Sequence, residues 1–134
     1  MLSQKADTMP LASDQDVVRV RQRVRDQATK LGFSLVDQTK IVTAASELAR
    51  NTLMHGGGGR VRLEALNDGS RRGLRVIFED EGPGIPDVEQ ALRDGFTTAG
   101  GLGLGLGGAK RLSSEFDINS RPGQGTRVAI TRWR

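Results

Sequence analysis

Leu74-Arg75-Val76-Ile77-Phe78-Glu79-Asp80-Glu81-Gly82-Pro83-Gly84-Ile85-Pro86 is the stretch of this 134-residue chain from which the rest can be read. Leu74, Val76 and Phe78 alternate onto one face, and Ile77 makes the centre apolar on both, so residues 74–81 predict a strand. Gly82, Gly84 and the prolines at 83 and 86 break it. A carboxylate that leaves a strand into a Gly-x-Gly loop is well placed to accept from an amino group of a flat ligand. The glycines let backbone approach that ligand closely. A plain Asp/Gly turn has the same letters, so the stretch gains meaning only from its neighbours.

Outward from it, the periodicity changes. Arg60–Asn67 alternates, with Val61, Leu63 and Ala65 on one face, and Asp68-Gly69 begins the turn toward residue 74. Phe116–Ser120 and Thr126–Trp133 predict a final hairpin around Arg121-Pro-Gly-Gln-Gly125. Two helices come first. Ser13 with Asp16 three residues on marks one start, and Val17, Val20, Val24, Ala28 and Leu31 give it an apolar face closed by Gly32. Ser34 with Asp37 opens the second, with Ile41, Ala45, Leu48 and Thr52 as its stripe, ended by His55 and the run Gly56–Gly59. That run predicts a mobile loop or hinge. Val88–Asp94 reads as a short helix. Residues 95–108 are glycine-dense, and a helix begun near Gly103 continues through Ala109–Ser114. The order predicts an α/β fold, a two-layer sandwich in which helices cover one face of a mixed, mostly antiparallel sheet. Residues 1–12 read as an N-terminal tail or edge strand, with Pro10 barred from a central strand, and residues 13–134 as a single domain.

Composition removes whole classes of chemistry. With Cys 0 there are no disulfides, thiolate nucleophiles or Cys-ligated zinc, and a single His excludes His-rich metal sites. No stretch approaches the apolar length of a membrane span and no signal-type segment opens the chain, so a cytoplasmic protein away from the membrane is expected. Lys plus Arg is 20 against Asp plus Glu 16, a net +4. Aromatics are 4% with no Tyr, so base-stacking platforms are lacking and nucleic acid is not the expected partner. The signs are segregated. Arg19, Arg21, Arg23, Arg25 and Lys30 lie in the first helix, and Arg121, Arg127, Arg132 and Arg134 at the C-terminus. Glu79, Asp80, Glu81, Asp87, Glu89 and Asp94 form an acidic centre. That leaves room for a charged protein partner, though two solvated basic faces would look the same.

Two further constellations join the first. Ser46-Glu47-Leu48-Ala49-Arg50-Asn51 lies on the second helix. Glu47 and Asn51 are four apart and share a face away from the apolar stripe. A carboxylate and a carboxamide so placed can hold a divalent ion and position a hydroxyl or water; alone they would read as two surface polar residues. Gly100-Gly101-Leu102-Gly103-Leu104-Gly105-Leu106-Gly107-Gly108 opens a helix, where free N–H groups suit a phosphate. Gly103-x-Gly105-x-x-Gly108 matches a dinucleotide fingerprint by letter, but no strand precedes it. Its Walker-like spacing has Ala109 where the lysine belongs. Phosphate binding by backbone amides, with a metal supplying positive charge, is what remains.

Together these motifs resemble the GHKL superfamily of ATP-binding domains, the Bergerat fold of histidine kinases, gyrase-type ATPases and anti-sigma kinases. Glu47…Asn51 resembles the N-box, Asp80-x-Gly82-x-Gly84-Ile85 the first glycine box, Gly101-Leu-Gly103-Leu-Gly105-Leu the second, and Gly125-Thr126 the Gly-Thr that ends the site. The resemblance covers about residues 13–134. With no dimerisation helix or transducer domain in the chain, Ser46–Asn51, Asp94–Gly103 and Lys110–Phe116 resemble most the RsbT family of serine protein kinases, switch proteins of bacterial stress signalling. His55 departs toward the RsbW-type anti-sigma kinases, and Gly56–Gly59 departs from both.

The resemblance implies roles. Glu47 is the general base toward a serine hydroxyl. Asn51 is the Mg²⁺ ligand, and the metal bridges the phosphates of ATP. Asp80 takes the adenine amino group, Gly82, Gly84 and Ile85 shape that pocket, and Thr126 supports it. Gly100, Gly101, Leu102, Gly103, Leu104 and Gly105 wrap the phosphates. Arg50 reaches the γ-phosphate or caps its helix, and His55 reads as a helix-terminal residue. The implied function is an ATP- and Mg²⁺-dependent serine kinase that phosphorylates a STAS-domain protein and, once released, activates a PP2C-type phosphatase. The alternatives are an anti-sigma kinase that holds a sigma factor directly and an ATP-binding interaction module with little turnover.

Overall fold

The computed structural model describes residues 2–85, 88–92 and 105–134. Five strands form one sheet: β1 (Leu2–Leu11), β2 (Gly59–Asn67), β3 (Arg72–Asp80), β4 (Glu115–Arg121) and β5 (Gly125–Trp133), in the spatial order β1-β2-β3-β5-β4. Every pairing is antiparallel, so the sheet lies at the antiparallel end of the mixed arrangement expected. The helices are α1 (Asp14–Lys30), α2 (Leu35–His55), α3 (Val88–Ala91) and α4 (Gly105–Arg111).

The two long helices start where their caps predict. The Ser13 side chain accepts from the Asp16 N–H, and Asp16 in turn accepts from the Ala12 N–H at 2.8 Å. This resembles a capping box, with Asp in the place usual for Glu and the N–H of the residue before the cap, not of the cap itself, as its donor. The Ala12 N–H, helped by Arg19, holds the Asp16 carboxyl below its ordinary pKa. Ser34 caps α2 through the Asp37 N–H. Val17, Val20, Val24 and Ala28 of α1 are buried, as are Ile41, Ala45, Leu48 and Thr52 of α2.

Those stripes meet one face of the sheet. Leu11, Val61, Leu63, Leu74, Val76, Phe78, Val128 and Ile130 join them in a single core. Phe78 and Leu48 are 1% exposed, and each such side chain stabilises the fold by roughly 1.5–3 kcal/mol relative to exposure. The opposite face carries Arg62, Glu64, Arg75 and Glu79, with Arg75 and Arg62 both paired to Glu64. One layer of helices on one face of one sheet is the two-layer sandwich expected from sequence.

Local expectations are sharpened or changed. Of the tail or edge strand expected first, the edge strand forms: Leu2–Leu11 runs along β2 from Leu2 opposite Asn67 to Leu11 opposite Gly59, with a register shift between Ser3 and Lys5. Pro10 is accommodated because β1 is an edge. The glycine run is not a free hinge. Gly59 begins β2, and Gly56 and Gly58 press against other segments, so a Cβ on Gly58 would come 2.8 Å from the Leu11 carbonyl oxygen. Helix α4 is described over Gly105–Arg111, which places Gly105, Gly107 and Gly108 within a helix; its expected start near Gly103 lies outside the described residues. The short helix expected over Val88–Asp94 is described only as Val88–Ala91.

Candidate functional site

Helix α2 carries the first constellation. It runs unbroken for 21 residues, so Glu47, Arg50 and Asn51 are fixed by its axis. Glu47 is 3% exposed. It is therefore not on an open surface face, as its spacing beside the apolar stripe suggests. Helix α4 packs against α2, with Leu106 and Ala109 in the core. No described residue donates a hydrogen bond to the Glu47 carboxylate. Arg50 and Asn51 are half-buried, and both have interactions of their own.

Asp80 ends β3, opposite Gly59 of β2 and Thr126 of β5. Its Oδ1 accepts from the Gly82 N–H at 2.9 Å, and no described residue donates to Oδ2. Gly125, at φ +95°, packs against the Asp80 carbonyl from the other strand; a Cβ there would come 2.2 Å from that oxygen. Asp80 lines two open clefts. One of about 560 Å³ is shared with Thr8, Met9, Pro10, Gly56–Gly59 and Glu81, and one of about 370 Å³ with Asn119, Arg121, Gln124 and Thr126. Glu47 and Asn51 line neither.

The first glycine box is anchored by the β4–β5 hairpin. The Ile85 N–H donates to Ser120 Oγ at 2.7 Å, and Ser120 shares a 2.8 Å hydrogen bond with the Thr126 hydroxyl. The Gly123 N–H donates to the Pro83 carbonyl at 2.7 Å. Gly84, at φ +81°, lies where a Cβ would meet the Arg121 carbonyl at 2.3 Å. Gly82, Gly84, Ile85 and Thr126 are thus brought together with Asp80. Ser120 belongs with them, yet nothing in the sequence separates it from any polar strand residue. Gly100, Gly101, Leu102, Gly103 and Leu104 lie outside the described residues, as do Asp87 and Asp94; Gly105 is the first residue of α4. His55 is the exposed last residue of α2, where a cation complements the helix dipole.

The residues present suit a nucleotide-borne divalent ion. The described residues contain no cluster of three His, Cys, Asp or Glu. Mg²⁺ bound with ATP needs no such cage: one or two protein oxygens, waters and phosphates complete its shell. The Asn51 carboxamide, one helical turn from Glu47, offers one such oxygen.

Residues 36–133 match the family model of histidine kinase-, DNA gyrase B-, and HSP90-like ATPases. The chain belongs to that family. Within it, the serine/threonine-protein kinase RsbT of Bacillus subtilis is 47% identical over 92% of this chain and 92% of its own length. The anti-sigma F factor of a Thermoanaerobacter species is 31% identical over 92% of this chain and 89% of its own length. This chain is thus an RsbT-like member of the family, on its serine/threonine kinase branch. Among solved structures, the RsbU and RsbW domains of a Mycobacterium tuberculosis protein superpose with a TM-score of 0.68 at 24% identity, over 98% of this chain and a third (33%) of that one. That likeness shows the fold. None of the helices, over the described residues, is long and apolar enough to cross a membrane.

Proposed function

We propose that this protein is an ATP- and Mg²⁺-dependent serine kinase of cytoplasmic stress signalling that works by partner switching, with a STAS-domain protein as substrate and a PP2C-type phosphatase as the partner taken up after release. The observation that carries the catalytic half is Glu47: a carboxylate 3% exposed, on the helix that also carries Asn51, with no described donor. Nine residues further along the same helix axis, about 13 Å at 1.5 Å per residue, Gly56 rests on Asp80. That span suits an extended nucleoside triphosphate with its base at Asp80 and its γ-phosphate near Glu47.

The Asp80 Oδ2 accepts from the adenine amino group while Gly82 holds Oδ1. Thr126 and Ser120 stiffen the floor of that pocket. Asn51 would hold the metal, which would supply positive charge to the phosphates. Glu47 takes the proton from the substrate serine as its oxygen attacks the γ-phosphorus, and the bond to the bridging oxygen breaks to release ADP. Gly100–Gly105 supply amides to the phosphates in this reading. The kinship with anti-sigma F factors supports a second output, direct capture of a sigma factor.

Gel filtration of the chain with candidate STAS-domain proteins tests the switch. The complex should persist with ADP or a non-hydrolysable ATP analogue and dissociate with ATP, because a phosphate of about −2 charge at an interface repels nearby carboxylates. Co-elution that is equally strong with ATP and with the analogue, with the serine phosphorylated, excludes switching.

A further inference from the structure

The run Gly56–Gly59 has no place in the nucleotide-binding motifs, yet its first member touches the residue on which base recognition rests. A Cβ built on Gly56 would lie 2.3 Å from Asp80 Cγ, 2.5 Å from Oδ2 and 2.6 Å from Cβ, inside the carboxylate itself. The backbone does not ask for glycine here. Gly56 has φ −88° and ψ −9°, ordinary right-handed helical values, and its N–H donates to the Thr52 carbonyl at 3.1 Å as the C-cap of α2. Gly57 is the contrast: at φ +74° it needs glycine for its backbone and has nothing within 4 Å of a Cβ. The contact continues one layer further. A Cβ on Gly82 would meet Gly56 Cα at 2.7 Å and its carbonyl oxygen at 2.8 Å, and Gly82 also donates to Asp80 Oδ1.

We infer that Gly56 is a positioning residue for base recognition: the hydrogen in place of its side chain is the space that lets the Asp80 carboxylate stand with one oxygen on Gly82 and the other toward the ligand. This rests on the reading of Asp80 as the adenine partner. The helix that carries Glu47 and Asn51 therefore ends in direct contact with the base-reading carboxylate. The distance between the two halves of the site is set by one rigid element and one van der Waals contact. Any side chain at 56 turns the Asp80 carboxylate away from Cγ and Oδ2 contacts of 2.3 and 2.5 Å, and the 2.6 Å approach to Asp80 Cβ makes the two segments part slightly as well.

Gly56→Ala isolates the effect. Alanine suits the dihedral angles at 56, but its Cβ would still lie 2.6 Å from Asp80 Cβ whatever the rotamer, so the variant should fold with a modestly lower melting temperature. Its affinity for ATP should fall about 5- to 100-fold, as for a lost buried hydrogen bond, and its preference for ATP over GTP should shrink. In turnover the change should appear in KM for ATP more than in kcat. Gly57→Ala should lose stability through backbone strain, since φ +74° there disfavours a side chain. Calorimetry of Gly56→Ala, Asp80→Ala and the double variant decides how Gly56 acts: on the Asp80→Ala background, Gly56→Ala should cost no further affinity. If Asp80→Ala binds ATP as the parent does, the adenine reading and this inference fall together. If Asp80→Ala weakens ATP but Gly56→Ala does not, or if the two effects add in full, the adenine reading stands and Gly56 has no positioning role.

Discussion

Single residues carry the chemistry, and their chemical types were legible while their environments were not. Glu47 and Asn51 are found by an i, i+4 spacing, but the spacing places Glu47 on an open face. Its burial comes from tertiary packing, which no local pattern reports. Ser120 and Gly56 escaped for a related reason: each acts through a contact across the sheet. The roles make separable expectations. Glu47→Gln keeps shape and removes the base, so nucleotide binding should persist while phosphoryl transfer falls roughly 10²–10⁴-fold. Transfer at the parental rate would free Glu47 of that role. Asp80→Asn replaces one acceptor by an amide donor that faces the adenine amino donor, and calorimetry should show ATP affinity lower by about 1–3 kcal/mol. Equal affinity of the parent for ATP and GTP would contradict the adenine assignment.

At the scale of elements, caps and turns were the most legible features, because Ser13, Ser34, Gly32 and the 121–125 turn act through neighbours in sequence. The ends of β1 and α4 were not, since the edge pairing of β1 with β2 and the packing of α4 on α2 are long-range. One side chain ties three of these elements together. Arg132 of β5 donates to Asp37 Oδ1 near the start of α2 at 2.8 Å and to the Leu112 carbonyl after α4 at 2.9 Å. The Arg132 guanidinium, with help from Ser34, holds the Asp37 carboxyl below its ordinary pKa. A carboxylate with a depressed folded pKa contributes stability that is fully present above its unfolded value, about 3.9, and is lost as pH falls through the folded one. Melting temperatures from pH 6 down to pH 3 should therefore fall less steeply for Asp37→Asn than for the parent, and the variant should already be less stable at pH 6. Parallel curves would deny the pair its role. Leu106, 6% exposed, anchors α4. Leu106→Ala should cost about 2–5 kcal/mol in denaturant unfolding. A loss under 1 kcal/mol would mean that α4 is not held by this contact.

At the scale of the whole molecule, two helices, a hairpin, glycine boxes and a second hairpin were enough to predict a helix-covered sheet, because each element's period and turn chemistry agreed with the others. The strand order was not readable, since nothing local tells β5 to lie between β3 and β4. Partners are legible only as charge. Arg19, Arg21, Arg23 and Arg25 stand exposed on α1, with Arg19 paired to Asp16 and Arg23 to Asp7 of β1. The central claim is that this ATP-binding sheet transfers phosphate to a protein. The direct measurement is mass spectrometry of purified STAS-domain proteins incubated with the chain, Mg²⁺ and ATP, alongside calorimetry of ATP binding. The expected result is a single phosphoserine on one STAS-domain protein, formed by the parent and greatly slowed with Glu47→Gln. ATP bound tightly by the parent, with no phosphate on any of them, would contradict the account and leave an ATP-dependent binding module in its place.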